Sequence, residues 1–202
     1  QLCKQGKGIT LYSSFKQNLK GDKIYTVFED SEGDEWILTN KGISIIGKKQ
    51  VDSDFPFQYI KEADGIIYLV SQSDKLASYN FKTRQFKFIE IPYHVSMINE
   101  VKKFDSNTLL LATDNGLIIY KIKEKEFQLI DIRTSTQPSN VVQSVYQDHY
   151  KELWIFPQTT GVIRYNPSTK EMQHLFTPAD EVIRYERKNK NVIFEDRQHT
   201  LW

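Results

Sequence analysis

One interval between two residue types constrains this chain more than any other feature. Asp30 precedes Trp36, Asp148 precedes Trp154 and Asp196 precedes Trp202, each time by six residues. The flanks match as well: Ile24–Asp30 reads IYTVFED, Val142–Asp148 reads VQSVYQD and Val192–Asp196 reads VIFED. Two degenerate copies lie between them. Phe104-Asp105 leads to LLLATDNGLIIY with Leu110 in the tryptophan slot, and Ala63-Asp64 leads to IIYLVSQSDKLASY with Tyr68 there. Successive copies are 32 to 48 residues apart, which brackets the roughly 40–45 residues of a four-stranded propeller blade. Units of this size cannot bury their apolar faces alone and must stack on their neighbours.

Each unit parses as four short strands. The first alternates and ends at the aspartate, and a tight turn such as Glu32-Gly33-Asp34 comes next. The second carries the Trp-Ile pair, a glycine-containing turn leads to a third such as Gly116–Tyr120, and a fourth carries Phe86-Lys-Phe-Ile or Phe127-Gln-Leu-Ile. Pro157 and Pro167 are expected in turns, where a missing N–H does no harm. No stretch of ten or more residues carries a helical apolar stripe. The expectation is an all-β, partial β-propeller of about four and a half four-stranded blades. The blades fall approximately at residues 20–56, 57–92, 93–135 and 136–177, with an incomplete one at 178–202. Residues 9–13, reading ITLYS, resemble an outer strand that would close a larger ring; a complete ring of five or fewer blades is the alternative.

The recurring slot has a physical reading. A blade is a sheet whose two faces must both be covered, so Trp36, Tyr68, Leu110, Trp154 and Trp202 are expected to wedge between adjacent sheets. Stacking on a sugar is the competing role, but the slot recurs in every unit and a ligand site need not. The repeated aspartates Asp30, Asp64, Asp105, Asp148 and Asp196 are read as turn formers that accept bonds from local N–H groups.

These residues resemble the two-component-regulator propeller repeat. Phe28-Glu29-Asp30, Gly33, Glu35-Trp36-Ile37, Thr39 and Gly42-Ile43 carry the likeness best. Leu153-Trp154-Ile155, Thr160-Gly161-Val162 and Tyr165 carry it again with one extra residue before the glycine, while the second unit departs strongly. The resemblance implies a sensor region like those of hybrid two-component systems, periplasmic and preceding a transmembrane helix, a histidine kinase and a response regulator. Such systems typically control glycan use. The implied function is recognition of an oligosaccharide, relayed to a kinase outside this chain, with further blades and a second copy of the chain as partners.

Composition narrows the remaining classes. A net charge of +1 gives no basic excess for nucleic acid. No apolar run nears the roughly 20 residues of a membrane span, so any membrane contact would come through the parent protein. The single Cys3 leaves no internal disulfide. His94, His149, His174 and His199 show no metal-ligand spacing, and Asp30–Asp34 misplaces the glycine of a calcium loop. No nucleophile elbow or phosphate-cradling glycine motif is present, so neither catalytic residues nor a cofactor is expected.

Binding residues are expected on one rim, where connections between blades meet the turns between second and third strands. These loops escape the packing constraint. The candidates are Tyr93 as an exposed aromatic platform, with His94, Asn40, Lys41, Asp114, Asn115 and Gln158 as polar partners; the same rim includes Gln72–Asp74, Gln137–Asn140, Thr160 and Pro178–Glu181. Two other functions compete with sensing. One is a structural or protein-interaction scaffold. The other is a glycan hydrolase or lyase, which needs an acid/base pair converging on one rim.

Overall fold

A computed structural model describes residues 19–47, 53–63, 66–71, 73–80, 83, 85–135, 137–159, 161–175 and 193–202. The strand expected at 9–13 lies outside these residues, as do Asp64, Gln72, Thr160 and Pro178–Glu181.

The described chain is all strand and turn. The first sheet joins β1 (Ile24–Glu29), β2 (Glu35–Thr39) and β3 (Gly42–Ile46). The second joins β4 (Tyr59–Ala63), β5 (Ile66–Val70), β6 (Leu76–Asn80) and β7 (Gln85–Ile89). The third contains β8 (Ile98–Asp105), β9 (Thr108–Thr113), β10 (Gly116–Lys121) and β11 (Glu126–Ile130), and the fourth β12 (Val142–Gln147), β13 (Leu153–Pro157), β14 (Val162–Tyr165) and β15 (Met172–Leu175). Every sheet is an antiparallel meander in sequence order. At the outer flank of β3, Ser53 O accepts from Ile43 N at 3.0 Å, where a fourth strand would pair. Pro157 ends β13 instead of lying in a turn. The pairing of β13 with β14 stops at Ile155, so no bond of that ladder needs its N–H.

The first strands of the sheets are neighbours: β4 lies against β1, β8 against β4 and β12 against β8. Side chains tie them in series. Thr26 Oγ1 donates to Gln58 O at 2.8 Å, the Tyr59 hydroxyl to Asn99 O at 2.6 Å, and Asn99 Nδ2 to Val142 O at 2.7 Å. The sheets therefore radiate from an inner row of first strands.

Three apolar clusters fill the spaces between successive sheets. Trp36, Leu38 and Ile43 pack on Phe57, Ile67 and Tyr79. Tyr68 and Leu76 meet Leu109, Ile118 and Tyr120, and Leu110 and Leu117 meet Val145, Leu153 and Ile155. β9 is buried along its whole length because both of its faces are covered. Burial of each large side chain here stabilises by roughly 1.5–3 kcal/mol.

Burial of each slot residue is set by the sheet beyond it. Trp36, Tyr68 and Leu110 are 0%, 2% and 1% exposed, each against the next sheet. Trp154 is half-buried, with only residues 193–202 described beyond it. Trp202, expected to wedge between blades, is 74% exposed. Its slot faces forward along the array, and among the described residues no further sheet covers it.

Candidate functional site

The aspartate-to-tryptophan interval is a single local device. Asp30 Oδ1 accepts from the backbone N–H groups of Glu32 and Asp34, both at 3.0 Å, and Oδ2 accepts from Trp36 Nε1 at 2.8 Å. Asp148 takes Glu152 N at 2.9 Å and Trp154 Nε1 at 2.8 Å; Asp196 takes Gln198 N and Thr200 N at 2.9 Å and Trp202 Nε1 at 3.0 Å. The residue three beyond each aspartate has positive φ: Gly33 at 86°, Lys151 at 66° and His199 at 63°. A hairpin of this length needs one left-handed residue there, which glycine supplies without cost. Because both Asp30 oxygens are engaged by N–H donors, this turn is built to hold an indole, not a cation.

A second contact joins this rim of adjacent units. Glu62 on β4 accepts from Ser31 N at 2.8 Å and from the Ser31 hydroxyl of the preceding sheet. Glu195 does the same for His149 N at 3.0 Å and also accepts from the Tyr146 hydroxyl at 3.1 Å. His199 Nδ1 lies 3.1 Å from Glu195, and its ring stacks on that of His149 at 3.7 Å. Sequence spacing gave no reason to pair these histidines; the repeat geometry brings them together. Among the described residues, no group of three or more His, Cys, Asp or Glu side chains converges as a metal site.

The opposite rim carries the expected binding loops. His94 O accepts from Asn115 Nδ2 at 3.0 Å, Ser96 N donates to Asp114 Oδ1 at 3.0 Å, and Asn140 Nδ2 donates to Asn115 Oδ1 at 3.0 Å. His94, Asp114 and Asn115 thus come together with Asn140, which is buried and holds Ile132 N at 3.0 Å. Asn40 bonds to Asp22 and Lys23 at the start of its own sheet. Lys41 and Gln158 are exposed and are fixed here through their backbone N–H groups, to Thr39 Oγ1 at 3.2 Å and Val141 O at 2.8 Å. These polar groups are largely spent on tying loops to one another.

Tyr93 differs from expectation. It is half-buried rather than exposed, packs on the cluster between the second and third sheets, and donates its hydroxyl to Phe127 O at 3.1 Å. An amphipathic ring beside a sheet buries its body and finds a partner for its tip. Its remaining edge lines a cavity of about 620 Å³ at this rim, together with Phe55, Phe88, Asp74, Lys75 and Glu90. Phe88 is 53% exposed; its ring meets Phe55 edge-on at 5.7 Å and stacks with Phe57 at 6.4 Å. Asp74 pairs with Lys75 at 3.0 Å, and that ammonium holds its carboxyl below the ordinary range. Phe55 and Phe88 were missed in the sequence. Their only signals are the Phe-Pro-Phe run at 55–57 and the alternation of Phe86 with Phe88 on an outer strand.

A second cavity, of about 360 Å³, lies on the inner strands and is lined by Tyr25, Tyr59, Lys61, Glu100 and Lys102. It shares no lining residue with the rim cavity.

Comparison with known proteins places this architecture. The structure superposes on the extracellular domain of BT4673 from B. thetaiotaomicron, described as a one-component and as a hybrid two-component system. The TM-score is 0.65 at 19% identity, over 91% of this chain and about a quarter of that one. With radial sheets tied along their first strands, the match decides the fold. The chain is a partial β-propeller. A histidine kinase, P4, of Formosa agariphila is 22% identical over 177 residues, which are 87% of this chain and 11% of that protein. A virginiamycin B lyase from Staphylococcus aureus shares the fold at a TM-score of 0.60 and 16% identity, over 78% of this chain and 56% of that one. No family model matches the propeller. Its likeness to propeller repeats of hybrid two-component sensors, read from the Trp36 and Trp154 units, agrees with the first two of these comparisons.

Proposed function

We propose that this propeller is part of an extracytoplasmic, periplasmic sensor and takes an oligosaccharide in the rim cavity walled by Phe55, Phe88 and Tyr93. The observation that carries the reading is the half-exposed Phe88 ring beside Asp74, Lys75 and Glu90. A pyranose needs an apolar platform for its C–H face and hydroxyl partners at its edge, and a cavity of about 620 Å³ is of ligand size. The signal passes to a histidine kinase outside this chain. The exposed Trp202 face seats a further blade, as Trp36 is seated on Tyr79 at 5.6 Å, and a second copy of the chain completes a dimeric receptor.

Titration calorimetry against a panel of neutral and acidic glycans tests this. A saturable heat with the sugar recovered unchanged is expected. Silence across the panel would favour a scaffold, and conversion of any sugar would favour a propeller enzyme. The lyase likeness concerns fold alone.

A further inference from the structure

We infer that the inner-strand cavity is a separate anion-binding site, in which Lys61 and Lys102 clasp a carboxylate or sulfate group. This cavity carries an excess of positive charge and shares no lining residue with the rim cavity.

Three strands contribute the wall. Tyr25 and Thr26 come from β1, Gln58 from just before β4, Tyr59 and Lys61 from β4, and Glu100 and Lys102 from β8. The register explains the meeting. Lys61 pairs with Tyr68 and Lys102 with Leu110, so both lysines sit opposite a slot residue, at equivalent places on adjacent first strands. Tyr59 and Glu100 share the next equivalent place, opposite Val70 and Ala112. A propeller repeats such positions side by side, so two lysines here become neighbours across an inter-blade gap.

Their charge is not balanced locally. Glu100 is the one carboxylate lining the cavity, and its Oε2 already accepts from Val145 N at 3.0 Å. Its Oε1 lies 3.5 Å from Lys102 Nζ. Among the described residues Lys61 forms no ion pair, although it is half-buried. Burial, and then repulsion from Lys102, push its ammonium below the ordinary lysine range, against an opposing pull from Glu100. A third cation borders the wall: Lys23 Nζ sits over the Tyr25 ring, 5.4 Å from its centroid. Lys102 is exposed and Lys61 half-buried, and two ammonium groups brought side by side on one wall repel each other, which an anion between them relieves. Among the described residues the Tyr25 hydroxyl makes no hydrogen bond, so it is available to an anionic oxygen. A cavity of about 360 Å³ admits one such group and its attached ring.

The test is an NMR titration of the intact chain with sodium sulfate and, separately, with sodium glucuronate at constant ionic strength. The lysine ε-methylene signals are followed, with exposed Lys123 and Lys170 as controls. The site predicts saturable shifts at Lys61 and Lys102 alone, and a titration midpoint of Lys61 that moves up when the anion binds. Affinity falls at least tenfold in Lys61→Met and in Lys102→Met. Glu100→Gln keeps an acceptor for Val145 N but removes the competing charge, so it binds at least severalfold tighter; this variant decides the matter should a lysine variant not fold. Saturation by sulfate alone assigns a sulfo-group site, and saturation by glucuronate alone a carboxylate site. Shifts that grow linearly and equally at Lys170, or binding unchanged in Lys61→Met or Glu100→Gln, overturn the proposal. Neutral glycans in the rim cavity would leave these signals unmoved, so the two readings fail separately.

Discussion

The indole nitrogen of Trp36 donates to Asp30 Oδ2 at 2.8 Å, across a hairpin turn that the same aspartate closes through Oδ1. One carboxylate therefore does two jobs: it shapes the turn between first and second strands, and it aims the ring at the next sheet. The bond recurs for Trp154 and Trp202, which is why the interval of six residues survives where the intervening letters do not.

Removing that carboxylate has a definite cost. Asp30 is buried, so Asp30→Ala strands the buried indole N–H and two backbone donors. Loss of about 3 kcal/mol is expected in urea denaturation, since each buried donor left unpaired costs about 1–3 kcal/mol. Asp30→Asn retains one carbonyl oxygen and is expected to lose about half as much. Equal stability of wild type and Asp30→Ala would refute the role given to this bond.

The exposed copy of the same turn predicts a pH effect. The Trp202 indole, and then the Thr200 backbone N–H, hold the Asp196 carboxyl below its ordinary value of 3.8. A folded pKa below the unfolded one means that the turn's contribution is complete above pH 3.8 and is lost as pH falls through the depressed value. The Trp202 Nε1–H resonance should therefore move with a midpoint below 3.8, while Asp196→Asn abolishes that transition. A midpoint at or above 3.8 would contradict the assignment.

Much of this was legible in the letters because the repeat acts twice. It marks the strands by alternation and the turns by aspartate and glycine, and both hold across Trp36, Leu110 and Trp154. The forward direction of the slot was not legible. Trp36 and Trp202 have the same local bond, yet one is 0% and the other 74% exposed, because burial is set by the neighbouring sheet. The geometry of the candidate rim was half legible. Asn115 does bond to His94 and Asp114 to the nearby Ser96, but Tyr93 turns inward to Phe127 O, and Phe88 takes the exposed position. Which member of an aromatic group faces water depends on packing across two blades, and a single strand's pattern does not carry that.

The contact between units can be cut without touching either core. Glu62→Ala leaves Ser31 N without its partner on the adjacent sheet. A loss of about 1 kcal/mol is expected, the usual net worth of one such bond. Amide exchange at Ser31 should accelerate while exchange at Ile37 tracks only the global change. Unchanged exchange at Ser31 would argue against the clasp.

The rim cavity is testable by a residue that the core does not need. Phe88 is 53% exposed, so Phe88→Ala should change stability by no more than about 1 kcal/mol, well below the roughly 3–5 kcal/mol of a buried phenylalanine. Calorimetric affinity for any glycan bound by the wild type should fall at least tenfold. Retained affinity would move the site elsewhere on the rim.

Acrylamide quenching of three single-tryptophan variants, each with the other two indoles changed to Phe, reads the forward stacking of blades directly. The account predicts almost no quenching of Trp36, intermediate quenching of Trp154 and nearly free access to Trp202. Equal quenching of all three, or a Trp36 as accessible as Trp202, would contradict it.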